Sequence, residues 1–175
     1  MSIKSLKYRT LFFRHKENVY SYAYSFLKNE MDAEDIAQEV WIKVWDNLEL
    51  FDWKKAKGWI LRTTHNLAVD FLRSKKRKDA LIDNSDTETV PDFGEETSPD
   101  RLSENSSLSA SIENSIARLP DKLKSVFVLY EIEKYKYKEI AEILDIPVNS
   151  VKVYLMRARK ELQKILLPLE EERYE

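Results

Sequence analysis

Asp32-Ala33-Glu34-Asp35-Ile36-Ala37-Gln38-Glu39-Val40-Trp41-Ile42-Lys43-Val44-Trp45 is the stretch whose pattern decides the fold. Ile36, Val40, Val44 and Leu48 recur at helical spacing, and Ala37, Trp41 and Trp45 widen that face, as in a helix that packs on a core. Asp32 has the chemistry of an N-cap, and Glu34 and Asp35 suit the positive end of the helix dipole. After Trp53-Lys54-Lys55-Ala56-Lys57-Gly58 a second helix is expected, with Ile60, Thr64, Leu67 and Phe71 as its buried stripe. Its other stripe is polar: Arg62, Asn66, Arg73 and Arg77 follow at helical intervals, and Lys75, Lys76 and Lys78 extend the charge. From Trp53 to Lys78 nine basic residues stand against Asp70 alone, a net of plus eight that suits a polyanion partner.

The chain as a whole conceals this, because its 175 residues carry a formal net charge of -2. Residues 79–113 hold ten acids and only Arg101, a net of minus nine that cancels the basic block. There is no cysteine, which excludes disulfides and thiolate metal sites and fits a reducing compartment. Neither a membrane span nor a secretion signal is legible, so a soluble, cytoplasmic chain is expected. With 43% apolar residues and two glycines the pattern reads as all-α.

Upstream, Leu6, Phe12, Val19, Ala23 and Phe26 share a helical face with Tyr20, Tyr22 and Tyr24 around it, and the pattern stops near Lys28-Asn29. An aromatic stripe at this spacing is ordinarily core, and this helix is expected to pack with the two above as a bundle of about three long helices. From Asp79 to about Ser107 the periodicity fails among Ser, Thr, acids, Pro91, Gly94 and Pro99, as in a flexible acidic linker. Solvation is the plain reading of such a segment; mimicry of nucleic acid in another protein's basic channel is the second.

Periodicity returns at Leu108, Ile112, Ile116 and Leu119, and Pro120-Asp121 separates this helix from one carrying Leu123, Val126, Phe127 and Tyr130. Then Tyr137 to Leu144, the turn Asp145-Ile146-Pro147 and a helix from Val148 make a helix-turn-helix. Ala141 allows a close crossing, and Ile140, Leu144, Ile146, Val151 and Leu155 supply its small core. Lys152, Tyr154, Met156, Arg157, Arg159 and Lys160 are left on the exposed face, a composition suited to a major groove. A purely structural helical hairpin is the competing reading, weakened by the basic segment elsewhere in the chain.

Asp32 to Trp41, Trp59-Ile60 with Asn66, Asp70 and Arg73, Leu119-Pro120, and Arg157-Ala158-Arg159 together resemble the extracytoplasmic-function (ECF) sigma factors of bacterial RNA polymerase, within the sigma-70 family. The resemblance covers nearly all of the chain except the linker. It implies two small helical domains: a three-to-four-helix region 2 bundle at 1–78 and a region 4 helix-turn-helix at 108–170. The acidic linker at 79–107 would join them, and 171–175 would be a tail. The function implied is a non-enzymatic initiation factor that binds core polymerase and reads −35 duplex and melted −10 DNA.

By the same resemblance Asp35, Gln38, Glu39 and Trp41 would dock on core RNA polymerase. Trp53, Lys54, Lys55, Lys57, Arg62, Asn66, Arg73 and Arg77 would serve the −10 element, with Trp53 able to stack on an unpaired base. Asn149, Ser150, Lys152, Val153, Tyr154, Met156, Arg157 and Arg159 would serve the −35 element. Val153-Tyr154 departs from the small polar residue and basic residue frequent in the family, and the loop from Leu50 to Gly58 is shorter than its common form. The linker would thread toward the polymerase cleft. The partners implied are core RNA polymerase, promoter DNA and a membrane-tethered anti-sigma factor, on a monomer with no cofactor and no metal.

Other classes compete with this reading. A two-domain regulator would bind DNA without polymerase, but the first domain shows no ligand pocket or phosphoacceptor pattern. A metal-dependent nuclease would need Glu34, Asp35 and Glu39, acids ordinary at a helix start. A helical adaptor leaves the plus-eight segment unexplained. His15 and His65 have no metal-ligand spacing and are assigned surface or packing roles.

Overall fold

The computed structural model describes residues 2–50, 52–82 and 104–171, and every regular element among them is helical. Helix α1 spans Ile3–Leu27 and α2 spans Glu30–Asn47; a 3₁₀ turn at Leu48–Leu50 leads to α3, Ala56–Ile82. Helix α4 spans Glu104–Ala117 and α5 spans Asp121–Phe127, followed by a π-helical turn at Val128–Ile132. Helices α6, Tyr137–Leu144, and α7, Val148–Glu171, complete the chain. The linker expected at 79–107 lies largely outside the described residues, although α3 runs on to Ile82 and α4 already begins at Glu104.

Helix α1 starts where Ser2 Oγ accepts from the Lys4 amide, and stops at Lys28, whose φ of 57° turns the chain out of the helix. Asn29 then caps α2 by accepting the Asp32 amide at 2.9 Å. The cap is therefore Asn29 and not Asp32. The extended backbone at Asn29 holds its side chain over the first turn, which places the charge of Asp32 inside that turn, where it meets the dipole and Lys75 at 3.5 Å.

Leu11, Val19, Ala23, Ala33, Ile36, Val40, Trp41, Val44, Leu48, Ala56 and Ile60 form the core of the α1–α3 bundle. Tyr8 and Phe12 close it by packing edge-on against Trp41, at 6.2 and 5.0 Å between ring centroids. Leu6, expected in this core, is instead 59% exposed, because it lies well round the helix from the buried line of Leu11, His15 and Val19.

In the second half, α4, α5 and α6 pack on α7 around Ile116, Leu119, Val126, Leu129, Ile140, Ile143, Val151, Leu155, Ala158 and Leu162. The turn of the helix-turn-helix falls where the sequence puts it: Asp145 takes φ 56° and its amide bonds the Ala141 carbonyl, ending α6 three residues before α7 starts. The π turn carries no sequence signal. It lets the Glu133 amide reach the Val128 carbonyl and the Tyr135 amide reach that of Leu129, both at 2.9 Å.

The two halves are packed together. Tyr22 and Phe26 of α1 and Leu61, Ala68 and Val69 of α3 belong to the same buried cluster as the α4–α7 core. Leu61, Ala68 and Val69 are further buried residues on α3, beside the stripe expected to be polar, and α6 is the main second-half partner of this helix. Among the described residues no fully buried side-chain nitrogen or oxygen lacks a hydrogen-bond partner.

Candidate nucleic-acid interface

The candidate surfaces lie on α2, on α3 with the segment before it, and on α7, and the packing described above decides which residues each presents. On α2, Ala33, Ile36, Val40 and Val44 are drawn into the bundle, which leaves Asp35, Gln38 and Glu39 exposed on the outer side. Trp41 is on the inner side at 7% exposure, where it supports α2 against Tyr8 and Phe12. It also lines a shallow groove with Phe12, Lys16, Tyr20 and Gln38.

Between α2 and α3, Trp53, Lys54 and Lys55 are exposed, with the Lys54 amide donating to Asp52 Oδ1 at 3.0 Å. Beside them lies a hollow of about 250 Å³ walled by Asn47, Leu50, Asp52, Lys55 and Trp59. Trp59, which the sequence assigned only to a family motif, thus contributes an aromatic wall to it.

Along α3 the polar residues of the −10 set differ in their partners. Asn66 and Arg77 are exposed on the first half, and Arg77 Nε donates to the Arg73 carbonyl at 3.3 Å. Lys57, Arg62 and Arg73 reach across to the second half, whereas Lys75 turns back to Asp32 of α2. Lys57 Nζ lies 2.8 Å from Glu139 Oε1 and 4.9 Å from the centre of the Tyr135 ring. Arg62 donates through two nitrogens to the Glu142 carbonyl and approaches Asp145 at 3.5 Å. Arg73 Nε is 3.4 Å from Asp121. Glu139 also accepts the Lys136 amide at 3.0 Å, and the Lys57 hydrogen bond together with that amide holds its carboxyl below the usual carboxylate range.

From α1, Ser21 and Ser25 both donate to Glu133, at 2.9 Å and 2.5 Å, and Asn18 donates to the Tyr135 hydroxyl at 3.3 Å. The two histidines have packing roles. His15 is 8% exposed, and burial followed by Arg14 and Lys57 lowers its pKa. His65 sits against Tyr22 and Phe26, and burial lowers its pKa to about 4.

On α7, Val151, Leu155 and Ala158 are buried, and this fixes what the opposite face shows. Asn149, Lys152, Val153, Met156 and Arg157 are exposed, Met156 at 64%, and Ser150 is half-buried. Tyr154 is turned away from them into a hollow at the junction of the two halves, with His65, Arg73, Asp121 and Ile146. Arg159 is paired with Glu131, Nε to Oε1 at 3.0 Å, and its guanidinium lies 5.7 Å from the Tyr130 ring.

Among the described residues no group of three or more His, Asp or Glu is arranged to hold a metal ion, and no helix is long and apolar enough to cross a membrane.

Comparison with known proteins agrees with this division of the chain. Residues 11–78 match sigma-70 region 2 and residues 109–162 match sigma-70 region 4. The ECF RNA polymerase sigma factor SigW of Bacillus subtilis is 36% identical over 162 residues, covering 89% of this chain and 86% of SigW. SigV of the same organism is 32% identical, covering 90% of this chain and 89% of SigV. The fold is shared with the sigma factor RpoE of Bartonella quintana, solved with the anti-sigma factor NepR, at a TM-score of 0.65 and 19% identity over 90% of this chain and 95% of RpoE. It is also shared with CnrH, solved with the cytosolic domain of CnrY, at 0.62 and 21% identity over 91% of this chain and 86% of CnrH. The chain belongs to the ECF group of the sigma-70 family, and it is a transcription initiation factor, not an enzyme, that binds RNA polymerase and directs it to specific promoters.

Proposed function

We propose that three surfaces divide the work: the outer side of α2 docks on core polymerase, the hollow before α3 with that helix's basic side takes the −10 strand, and the exposed face of α7 enters the −35 major groove. The observation that carries this is the segregation on α7 of Lys152, Val153, Met156 and Arg157 from a buried inner face. A helix so divided offers apolar atoms to base edges and cations to phosphates. Asn149 and Ser150 stand at its start, where base edges are met first. Tyr154 and Arg159 come second, since both are engaged by other residues of the chain.

At the −10 element Trp53 and the Trp59 wall offer stacking surfaces, and Lys54, Lys55, Lys57, Arg62, Asn66, Arg73 and Arg77 follow the backbone. Holding a base out of the stack offsets an unstacking cost of a few kcal/mol, so melting follows from binding energy alone. Asp35, Gln38 and Glu39 make the polymerase contact, with Trp41 holding the helix that presents them. The domains run 1–78 and 108–170, the intervening acidic segment approaches the polymerase cleft, and the chain acts as a cytoplasmic monomer. Because RpoE and CnrH were each solved with a partner, a membrane-tethered anti-sigma factor is proposed here too.

Transcription in vitro with core polymerase on randomised promoter DNA tests the reading. Start sites that require this protein and share −35 and −10 motifs are expected. Binding to duplex DNA without association with any core polymerase would replace it with an ordinary DNA-binding regulator.

A further inference from the structure

The outward face of the first half of α1 combines exposed apolar side chains with charge of one sign. Before Glu17 the chain holds no acid, and Lys4, Lys7, Arg9, Arg14 and Lys16 give residues 1–16 a side-chain net of plus five. Within that stretch Ile3, Leu6 and Phe13 are 76%, 59% and 63% exposed. With Thr10 they form one line along the helix, on the side opposite the buried line of Leu11, His15 and Val19. Thr10 adds a methyl group to that line, because its hydroxyl is turned inward and donates to the Leu6 carbonyl at 3.0 Å. At 3.6 residues per turn, Lys7 and Arg14 stand about 70° to one side of the line, and Arg9 and Lys16 about 90° to the other. All four are exposed. Lys16 lies 3.7 Å from Glu17, with its ammonium 5.9 Å from the centre of the Phe13 ring.

We propose that this face seats the factor on a bilayer of anionic lipid, with Ile3, Leu6 and Phe13 entering the acyl boundary and the flanking cations meeting headgroup phosphates. Cations on both flanks, carried on stems long enough to reach the level of the apolar line, match a plane lying across that line. A nucleic-acid backbone would meet the cations but set three large apolar side chains against phosphates. An acidic groove in a protein would have to be wide enough to take both rows. The line runs about 15 Å from Ile3 to Phe13 and stops at the exposed Glu17, so α1 lies on the surface and does not cross it. Leu11 and Val19 keep α1 in the bundle core, and no buried residue has to move for the contact. The face shares no residue with those proposed above for polymerase or DNA. With so short an apolar line the cations supply much of the attraction, and salt weakens it.

Co-sedimentation of the full chain with lipid vesicles tests this. Vesicles of phosphatidylcholine with about one-third phosphatidylglycerol should bind it, and pure phosphatidylcholine should not. Leu6→Gln with Phe13→Gln should weaken binding at least about 10-fold. Thermal melting should stay as in the wild type, because both side chains are exposed. Lys7→Gln with Arg14→Gln should bind at least about 5-fold more weakly than Lys138→Gln with Lys164→Gln, which removes equal charge from exposed positions of region 4. The chain has no cysteine, so Thr10→Cys takes a single environment-sensitive nitrobenzoxadiazole label. Its emission should rise and shift to the blue on the anionic vesicles, and the same label on Lys138→Cys should not respond. Absence of binding to anionic vesicles, equal losses in the two cation variants, or a silent label at position 10 overturns the proposal. A label there that responds to core polymerase and not to vesicles also overturns it, and assigns the face to a protein partner.

Discussion

The hydroxyl of Tyr22 lies 2.8 Å from Nδ1 of His65, with the two rings 6.2 Å apart and inclined by only 20°. This contact joins α1 to α3 directly beneath the second half of the chain, and it is made by a buried, neutral imidazole. Burial is the main reason the pKa of His65 falls to about 4; Arg73 lowers it further, while Asp121 and Asp70 oppose the shift.

An acid sensitivity follows. The unfolded chain protonates His65 near 6.5 and the folded chain near 4, so the unfolded state binds more protons between those values. The contribution is complete above pH 6.5 and is lost as pH falls toward 4. Between pH 7 and pH 5 the wild type should lose about 2 kcal/mol that a His65→Gln variant does not lose. Urea unfolding of both at the two pH values measures this, and parallel losses would remove His65 as the cause.

Lys124 should be a stability cost. Its ammonium is buried 4.6 Å from the centre of the Phe26 ring, and burial lowers its pKa from 10.5 to about 8, with Lys76 and Lys28 adding to the shift and Asp121 opposing it. At pH 7 it is charged in both states, and stability should rise as pH climbs from 8 toward 10.5, where only the unfolded chain remains protonated. Lys124→Met keeps the packing, removes the buried charge and gives up a cation–π contact of about 1 kcal/mol. A net gain of about 1–2 kcal/mol in urea unfolding is expected. A less stable variant would mean the ring contact outweighs desolvation.

Reversing the α2 surface should uncouple docking from folding. Asp35→Lys with Glu39→Lys places two cations on an exposed face. Affinity for core polymerase should drop by about 10-fold or more with thermal stability nearly unchanged. Competition against the labelled wild-type factor reads the first quantity and circular dichroism melting the second. Unchanged competition would move the docking surface off α2.

The α7 face should separate affinity from sequence choice. Arg157→Ala should weaken −35 binding at all sequences alike and reduce the salt slope by about 1. Met156→Ala should alter which base is preferred at one position while leaving the slope as it was. Salt titrations of polymerase holoenzyme on the promoters selected above distinguish the two, and identical behaviour would place both residues on the backbone.

The sequence alone determined the helices and their inner faces, because a 3.6-residue period and short-range caps are local properties. Ile36, Val40 and Val44 on α2, and Ile140, Val151 and Leu155 around the Asp145 turn, are buried as their spacing requires. Local pattern also misled: Asn29, not Asp32, caps α2, Leu6 lies off the buried line of α1, and Tyr154 turns from the exposed face of α7 into a hollow. Leu61, Ala68 and Val69, beside the polar stripe of α3, went unread as a core face, and nothing local says what such residues pack on. Tertiary structure decided that, and so decided that Arg62 meets the Glu142 carbonyl 80 positions away and that Lys57 meets Glu139 at a separation of 82. Contacts at those separations depend on how whole helices pack, which no periodicity records.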